Sequence, residues 1–132
     1  MNKKLLDKLK KAYKEIENSD KITSDSKVPH TGGVYLIKNK KGNKIIYIGK
    51  ATNLNRRIRN HTSGTINKSI FRKKLLILKP NIKAERVLSL YIKNNYDFYT
   101  MEIHDFDFRS LMESLLIYNN RKSNNFILND LK

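Results

Sequence analysis

Two tyrosines, Tyr35 and Tyr47, stand twelve residues apart in two short apolar runs, Gly33–Ile37 and Ile45–Ile48. The polar stretch between them, Asn39–Asn43, contains Gly42. Apolar runs around a turn of this composition predict a β-hairpin. With the hairpin centred on Lys41, Tyr35 lies directly opposite Tyr47 and shares its face. A one-residue slip would send the two phenols to opposite faces. After Gly49 the period becomes helical, with Leu54 and Ile58 four apart and Arg57 and His61 four apart. Two phenols and a cationic patch therefore meet where a hairpin ends and a helix starts.

Other chemistries are excluded or lack parts. The chain has no cysteine, so thiol nucleophiles, Cys-based zinc sites and disulfides are ruled out. It has no glycine loop of the GxxxxGK type, and His30, His61 and His104 are not at metal-ligand spacing. A paired-carboxylate site is hard to build, because no acid lies between Asp25 and Glu85. What remains is tyrosine, arginine, lysine, one histidine and the acids of the C-terminal third. That inventory suits phosphodiester chemistry. Arg and Lys hold phosphate charge. A divalent ion bound by one carboxylate and the substrate's own phosphate oxygens activates water. Only about one tyrosine in a thousand is ionised near neutral pH, but cationic neighbours favour the anion and make it a general base.

The charge distribution points the same way. The net charge of +16 calls for a polyanionic partner, nucleic acid first and acidic membrane second. Lysine supplies 21 of the 28 basic residues, as an AT-rich genome would produce. That bias does not explain why the acid-free window holds 15 Lys or Arg, while Glu85–Glu113 has six acids against three bases. A phosphate-facing surface does. No apolar run approaches the ~18 residues of a membrane span, and the N-terminus lacks the continuous apolar region of a signal peptide. The expected location is the cytoplasm, with nucleoid association compatible.

The elements that must position these residues follow from periodicity. The chain's 132 residues suit one core. Residues 4–17 predict an amphipathic helix, and 18–31 a polar linker ending near Pro29. A helix over 53–61 follows the hairpin, capped by Thr52 or Asn53. Ile66–Leu78 and Asn81–Asn94 predict two further helices separated by Pro80, and Tyr96–Ile103 a third strand. Asp105 or Asp107 caps a last helix carrying Leu111, Leu115 and Tyr118, with Glu113 among them. Asn119–Asn125 reads as a turn and Phe126–Leu128 as a short closing strand. The fold class is α+β: a small, mostly antiparallel sheet with helices packed against it.

Gly33-Val34-Tyr35, eleven residues, then Tyr47-Ile48-Gly49 resembles the signature of the GIY-YIG nuclease superfamily. The segment from Lys50 to Ile58 is similar to the one after YIG in the excinuclease C-subunit catalytic domain. Arg57 falls where that family has its arginine, and His61 resembles the histidine of its homing and restriction branches. Glu113-Ser114-Leu115-Leu116-Ile117, with Arg121 and Asn125 downstream, resembles the family's helix with its metal-binding glutamate and asparagine. The resemblance covers roughly residues 32–128. Val34 replaces the signature isoleucine, and Lys122 stands where the excinuclease branch tends to have proline. The further DNA-binding domains of that subunit are not expected here.

The resemblance implies a three-stranded antiparallel sheet flanked by helices, to which this chain adds an N-terminal helix and linker (1–31) and a short tail (129–132). It implies a metal-dependent endonuclease acting on DNA with one Mg2+ or Mn2+ on Glu113. One of the tyrosines, Tyr47 favoured, is the general base. Arg57 and Lys50 hold the phosphate, His61 assists proton transfer and Asn125 fixes the local network. Arg56, Arg59, Lys68, Arg72, Lys73 and Lys74 are expected on the nucleic-acid backbone. Two competing readings stand beside it: a non-catalytic nucleic-acid-binding module on the same fold, and a nuclease subunit that takes its specificity from a protein partner.

Overall fold

Strand side chains alternate between faces, and β1 (Gly33–Asn39) has apolar residues on both. Such a strand is stable only at the centre of a covered sheet. In the computed structural model of the protein, which describes residues 2–123 and 125–131, β1 lies between β2 (Ile45–Ala51) and β3 (Tyr96–Glu102), antiparallel to each. Met1, Asn124 and Lys132, which fall in the expected N-terminal, central and tail segments, lie outside the described residues.

Five α-helices cover the sheet among the described residues. Helix α1 (Lys3–Glu17) starts at Asn2, whose side chain accepts the Lys4 and Leu5 N–H groups. Its Leu9 and Ile16 join Val34, Leu36 and Ile48 in one core layer, together with Met112 and Leu116 of α5 (Phe106–Lys122). The opposite layer holds Tyr35, Ile37 and Tyr47. It is closed by Leu54 and Ile58 of α2 (Leu54–Ser63), Phe71 and Leu75 of α3 (Ile70–Leu78), and Leu88 and Ile92 of α4 (Glu85–Asn95). The three-stranded α+β architecture with an added N-terminal helix is the one the sequence predicts. No helix among the described residues is long and apolar enough to cross a membrane.

Four boundaries differ from the sequence reading. The single helix expected over 66–78 is a 3₁₀ turn (Ile66–Lys68) and then α3, broken at Ser69. The Ser69 hydroxyl accepts the Arg72 N–H at 3.0 Å, a cap that competes with continued helix. Helix α4 begins at Glu85 rather than near Asn81. Helix α5 runs through the expected turn to Lys122. The closing strand does not form. Ile127 and Leu128 are buried as core plugs, and a 3₁₀ turn (Leu128–Asp130) follows. Asn129, read as part of a tail, instead lies against the outer edge of β2. Its Nδ2 donates to the Ile48 carbonyl at 2.6 Å, and its Oδ1 accepts the Ile48 N–H at 2.9 Å.

The hairpin register also differs. Tyr35 pairs with Gly49, and Tyr47 with Ile37. The turn holds four residues, Lys40–Asn43, between Asn39 and Lys44, whose N–H and C=O pair at 2.9 Å. Gly42 and Asn43 take left-handed φ values of 84° and 57° there. An irregularity at Ile37/Lys38 leaves Ile46 as an extra residue in β2. Turn and bulge each move the pairing by one. The total shift is even, so the two phenols stay on one face as diagonal neighbours, with ring centroids 6.3 Å apart. The Tyr35 ring lies over Gly49, where a Cβ would fall 2.3 Å from its Cζ and Oη. Gly49→Ala is expected to destabilise the fold by roughly 1–3 kcal/mol, since the buried phenol has nowhere to retreat. Urea unfolding of the variant checks this, and an unchanged midpoint would contradict the packing described.

Candidate active site

Strand β2 is an edge strand, so alternate backbone groups of Ile48 and Lys50 face away from the sheet. The Lys50 carbonyl accepts Arg57 Nη1 at 3.3 Å, which ties α2 to the strand. The Lys50 N–H is directed at the Glu113 carboxylate. The Lys50 ammonium is held by Ser110 Oγ at 2.9 Å. One residue of β2 thereby fixes an arginine from α2 and a carboxylate from α5. The cleft so formed has a volume of about 310 Å³ and is lined by Tyr35, Tyr47, Lys50, Arg57, Arg109 and Glu113, among others. An adjoining hollow of about 250 Å³ shares Tyr47 and Arg57 and adds Arg56, His61, Lys68 and Ser69.

Behind the cleft runs a buried chain of polar groups. The Tyr35 hydroxyl is hydrogen bonded to His61 Nε2 at 2.7 Å, and His61 Nδ1 to Ser69 Oγ at 2.6 Å. Burial pushes His61 down to about 3, helped by the positive charges of Arg57 and Arg72, so the imidazole is neutral. Burial raises the Tyr35 phenol far above its ordinary value, and the neighbouring Tyr47 adds to this. Tyr47 is also raised by burial, but the Arg57 charge opposes the rise, and so does the neighbouring Tyr35 hydroxyl. Burial raises Glu113, while the Lys50 charge, the Lys50 N–H and Arg57 pull it back. Each acid in the cleft is thus short of positive charge, and Arg57 bears on all three.

The cleft brings together five of the residues singled out in the sequence: Tyr35, Tyr47, Lys50, Arg57 and Glu113. His61 stands behind them, bonded to Tyr35 and only 2% exposed. Asn125 lines neither hollow; its backbone N–H donates to the Asn120 carbonyl at 3.2 Å, on the segment leaving α5. Arg72 corrects a second expectation. It is fully buried rather than on a nucleic-acid surface. Its guanidinium donates to the carbonyls of His61, Thr62 and Glu85 and to Ser89 Oγ. Arg56, Arg59, Lys68 and Lys73 are exposed, and Lys74 donates to the Asn129 carbonyl at 3.0 Å.

Sequence reasoning passed over Ser69, Ser110 and Arg109. Ser69 carried a signal, since a serine three residues before the residue it caps is a helix start. Arg109 sits one helical turn before Glu113, a spacing that places both on one face. It is buried against Gly32 and clamps the carbonyls of Ile103 and His104. A further hollow of about 760 Å³ between α4, α2 and β3 gathers none of the residues predicted for the site.

The family model of the GIY-YIG catalytic domain matches residues 31–125. The chain belongs to the GIY-YIG nuclease family. Both signature tyrosines, and the arginine and glutamate that the sequence pairs with them, are therefore cleft residues of a GIY-YIG domain. Among solved structures, the chain is similar to the GIY-YIG N-terminal endonuclease domain of UvrC from Thermotoga maritima bound to its catalytic divalent cation, magnesium. The identity is 26%, with a TM-score of 0.43, over 84% of this chain and 91% of that one. A point mutant of the same domain bound to its catalytic divalent cation gives 25% identity, a TM-score of 0.43 and the same coverage. No curated protein matches the chain.

The neutral His61 has a consequence for stability in this GIY-YIG domain. Its native pKa lies below the 6.5 of an ordinary histidine. The unfolded chain therefore takes up a proton that the native state refuses. Stability from this source is full above about pH 6.5 and is lost as the pH falls toward about 3. Urea midpoints measured between about pH 7.5 and 4.5 should fall more steeply in the wild type than in His61→Gln. Parallel slopes would show that the buried imidazole titrates normally.

Proposed function

We propose that this GIY-YIG nuclease is a divalent-metal-dependent endonuclease that hydrolyses DNA phosphodiesters with Tyr47 as general base. The observation that carries the reading is the convergence on one cleft of Tyr47 and Arg57, from the acid-free stretch of the chain, with Glu113 from the acidic stretch. The family match supports nuclease chemistry, and the UvrC domain of Thermotoga maritima is described as binding a catalytic divalent cation.

The donor set suits one hard ion, Mg2+ or Mn2+. Among the described residues there is no cluster of three or more metal-ligating side chains, and Glu113 is the carboxylate lining the cleft. Magnesium is typically bound in this way, through one or two carboxylates with substrate phosphate and water completing the shell. The raised Glu113 carboxyl, half-buried beside the phenols, gains from a cation. When bound, such an ion supplies Lewis-acid polarisation of the phosphate and a more acidic water.

The chain's own residues divide the remaining work. Tyr47 takes the proton from the attacking water. It suits this better than Tyr35, whose hydroxyl is bonded to His61 and shielded from solvent. The Tyr35 hydroxyl, with its ring centroid 6.3 Å from that of Tyr47, favours the Tyr47 anion. A consistent direction of donation runs behind it. The Arg72 N–H donates to Ser69 Oγ, Ser69 donates to His61 Nδ1, and His61 Nε2–H donates to Tyr35. His61 then acts as a neutral positioning residue. Arg57 and Lys50 hold the charge that builds on the phosphate. Arg56, Arg59, Lys68, Lys73 and Lys74 contact the backbone on either side, whereas Arg72 takes no part. Residues 32–128 form the catalytic unit in this reading.

Plasmid nicking with added manganese tests the proposal. Tyr47→Phe and Glu113→Ala should each lower cleavage by ~10²-fold or more while gel-shift binding is retained. Undiminished cleavage in Glu113→Ala would remove the metal assignment, and in Tyr47→Phe the base.

A further inference from the structure

The cleft has two apolar lips. Phe106, the first residue of α5, is 60% exposed, and Ile70, the first residue of α3, is 59% exposed. Both line the same cleft as Tyr47, Arg57 and Glu113. Most of the large apolar side chains at this end of the fold are buried: Tyr35, Tyr47, Leu54, Phe71 and Phe108. Two chains placed in water at the rim of a polar, cationic cleft are not explained by packing. Exposed apolar side chains scattered singly are ordinary, and others occur on this fold, but two that line one polar cleft together mark a contact site.

The surroundings say what the contact is. The Lys50 ammonium, which also faces the cleft, lies 5.4 Å from the centre of the Phe106 ring. A phosphodiester held by Lys50 and Arg57 brings the nucleosides on either side of it to the rim. Every nucleobase has a π-face that stacks on an aromatic ring regardless of sequence. In an intact duplex both faces of each base are covered by its neighbours, and the ring has nothing to meet. An unpaired or unstacked base offers a free face.

We infer that Phe106 and Ile70 form a nucleobase platform beside the scissile phosphate, and that the preferred substrate carries an unstacked base at the cut. Phe106 stacks on that base and Ile70 closes against the opposite lip. The inference deepens the endonuclease reading and rests on it for the phosphate's position. It makes Phe106 a specificity residue, separate from the proton-transfer and charge-holding groups.

Two measurements on the full chain test it separately from the nuclease reading. The first needs no cleavage. In EDTA, a single-stranded oligonucleotide carrying 5-iododeoxyuridine is irradiated with the protein and the adduct mapped by peptide mass. An adduct on the peptide containing Phe106, weakened when the same base is paired within a duplex, is expected. No adduct there, or equal adduct from both DNAs, overturns the platform. The second compares manganese-dependent cleavage of a paired duplex with the same duplex carrying a bulged base at the cut. The wild type should prefer the bulge by roughly ten-fold, as one lost stack would give. Phe106→Ala should lose the preference and Phe106→Tyr keep it, with both variants folded because the side chain is exposed. A preference unchanged in Phe106→Ala overturns the inference while leaving the endonuclease intact. The Phe106 adduct without cleavage of any DNA removes the nuclease reading and leaves the platform standing.

Discussion

A guanidinium buried from water must find acceptors for its donors, and the position of Arg72 follows from that demand. Its partners are the carbonyls near the end of α2, together with the Glu85 carbonyl and the Ser89 hydroxyl at the start of α4. Carbonyls at a helix C-terminus lack partners of their own and carry partial negative charge. The two terminal nitrogens of the arginine therefore satisfy the end of α2 and the start of α4, while its Nε stays buried without a partner among the described residues. Losing the guanidinium would leave several buried carbonyls unpaired, each costing about 1–3 kcal/mol. The Arg72 backbone N–H meets Ser69, Ser69 meets His61, and His61 meets the Tyr35 phenol. The geometry of Tyr35 in the cleft thus rests on a cation buried outside it.

The second constraint is the unpaired backbone of an edge strand. Lys50 offers an outward carbonyl that Arg57 meets, and its backbone N–H and ammonium favour the charged form of Glu113. The two residues come from helices on opposite faces of the sheet, α2 and α5. Only at the edge of a sheet can groups from both faces converge. The site's location is set by sheet topology, and the chemistry of the side chains is then arranged around it.

Much of this was legible in the sequence, where one element dominated its neighbourhood. Alternating apolar residues around a Gly/Asn turn gave the hairpin, and helical spacing gave α1, α2 and α5. Of the motif residues, Tyr35, Tyr47, Arg57 and Glu113 line one cleft. What failed did so where local signals compete with tertiary ones. The register depended on a bulge at Ile46 that no composition rule marks; its effect and that of the longer turn summed to an even number, so the face of Tyr47 was right although its partner was wrong. Arg72 looked like any helix arginine, because periodicity reports a face and not a depth. Asn125 was given by the resemblance alone, with the segment before it expected to turn, whereas α5 continues to Lys122 and Asn125 lines neither hollow.

The amide of Asn129 has a consequence for how the molecule meets its neighbours. An edge strand normally presents a ladder onto which a foreign strand can add, and proteins must blunt it. Here outward positions of the ladder are taken by Asn129 at Ile48 and by Arg57 at the Lys50 carbonyl. A side-chain amide carries the same donor and acceptor as a peptide unit, so Asn129 acts as a one-residue strand that cannot propagate. The groups that build the cleft also prevent the sheet from templating a fourth strand on that side, so self-association by strand addition and assembly of the cleft compete for the same backbone atoms.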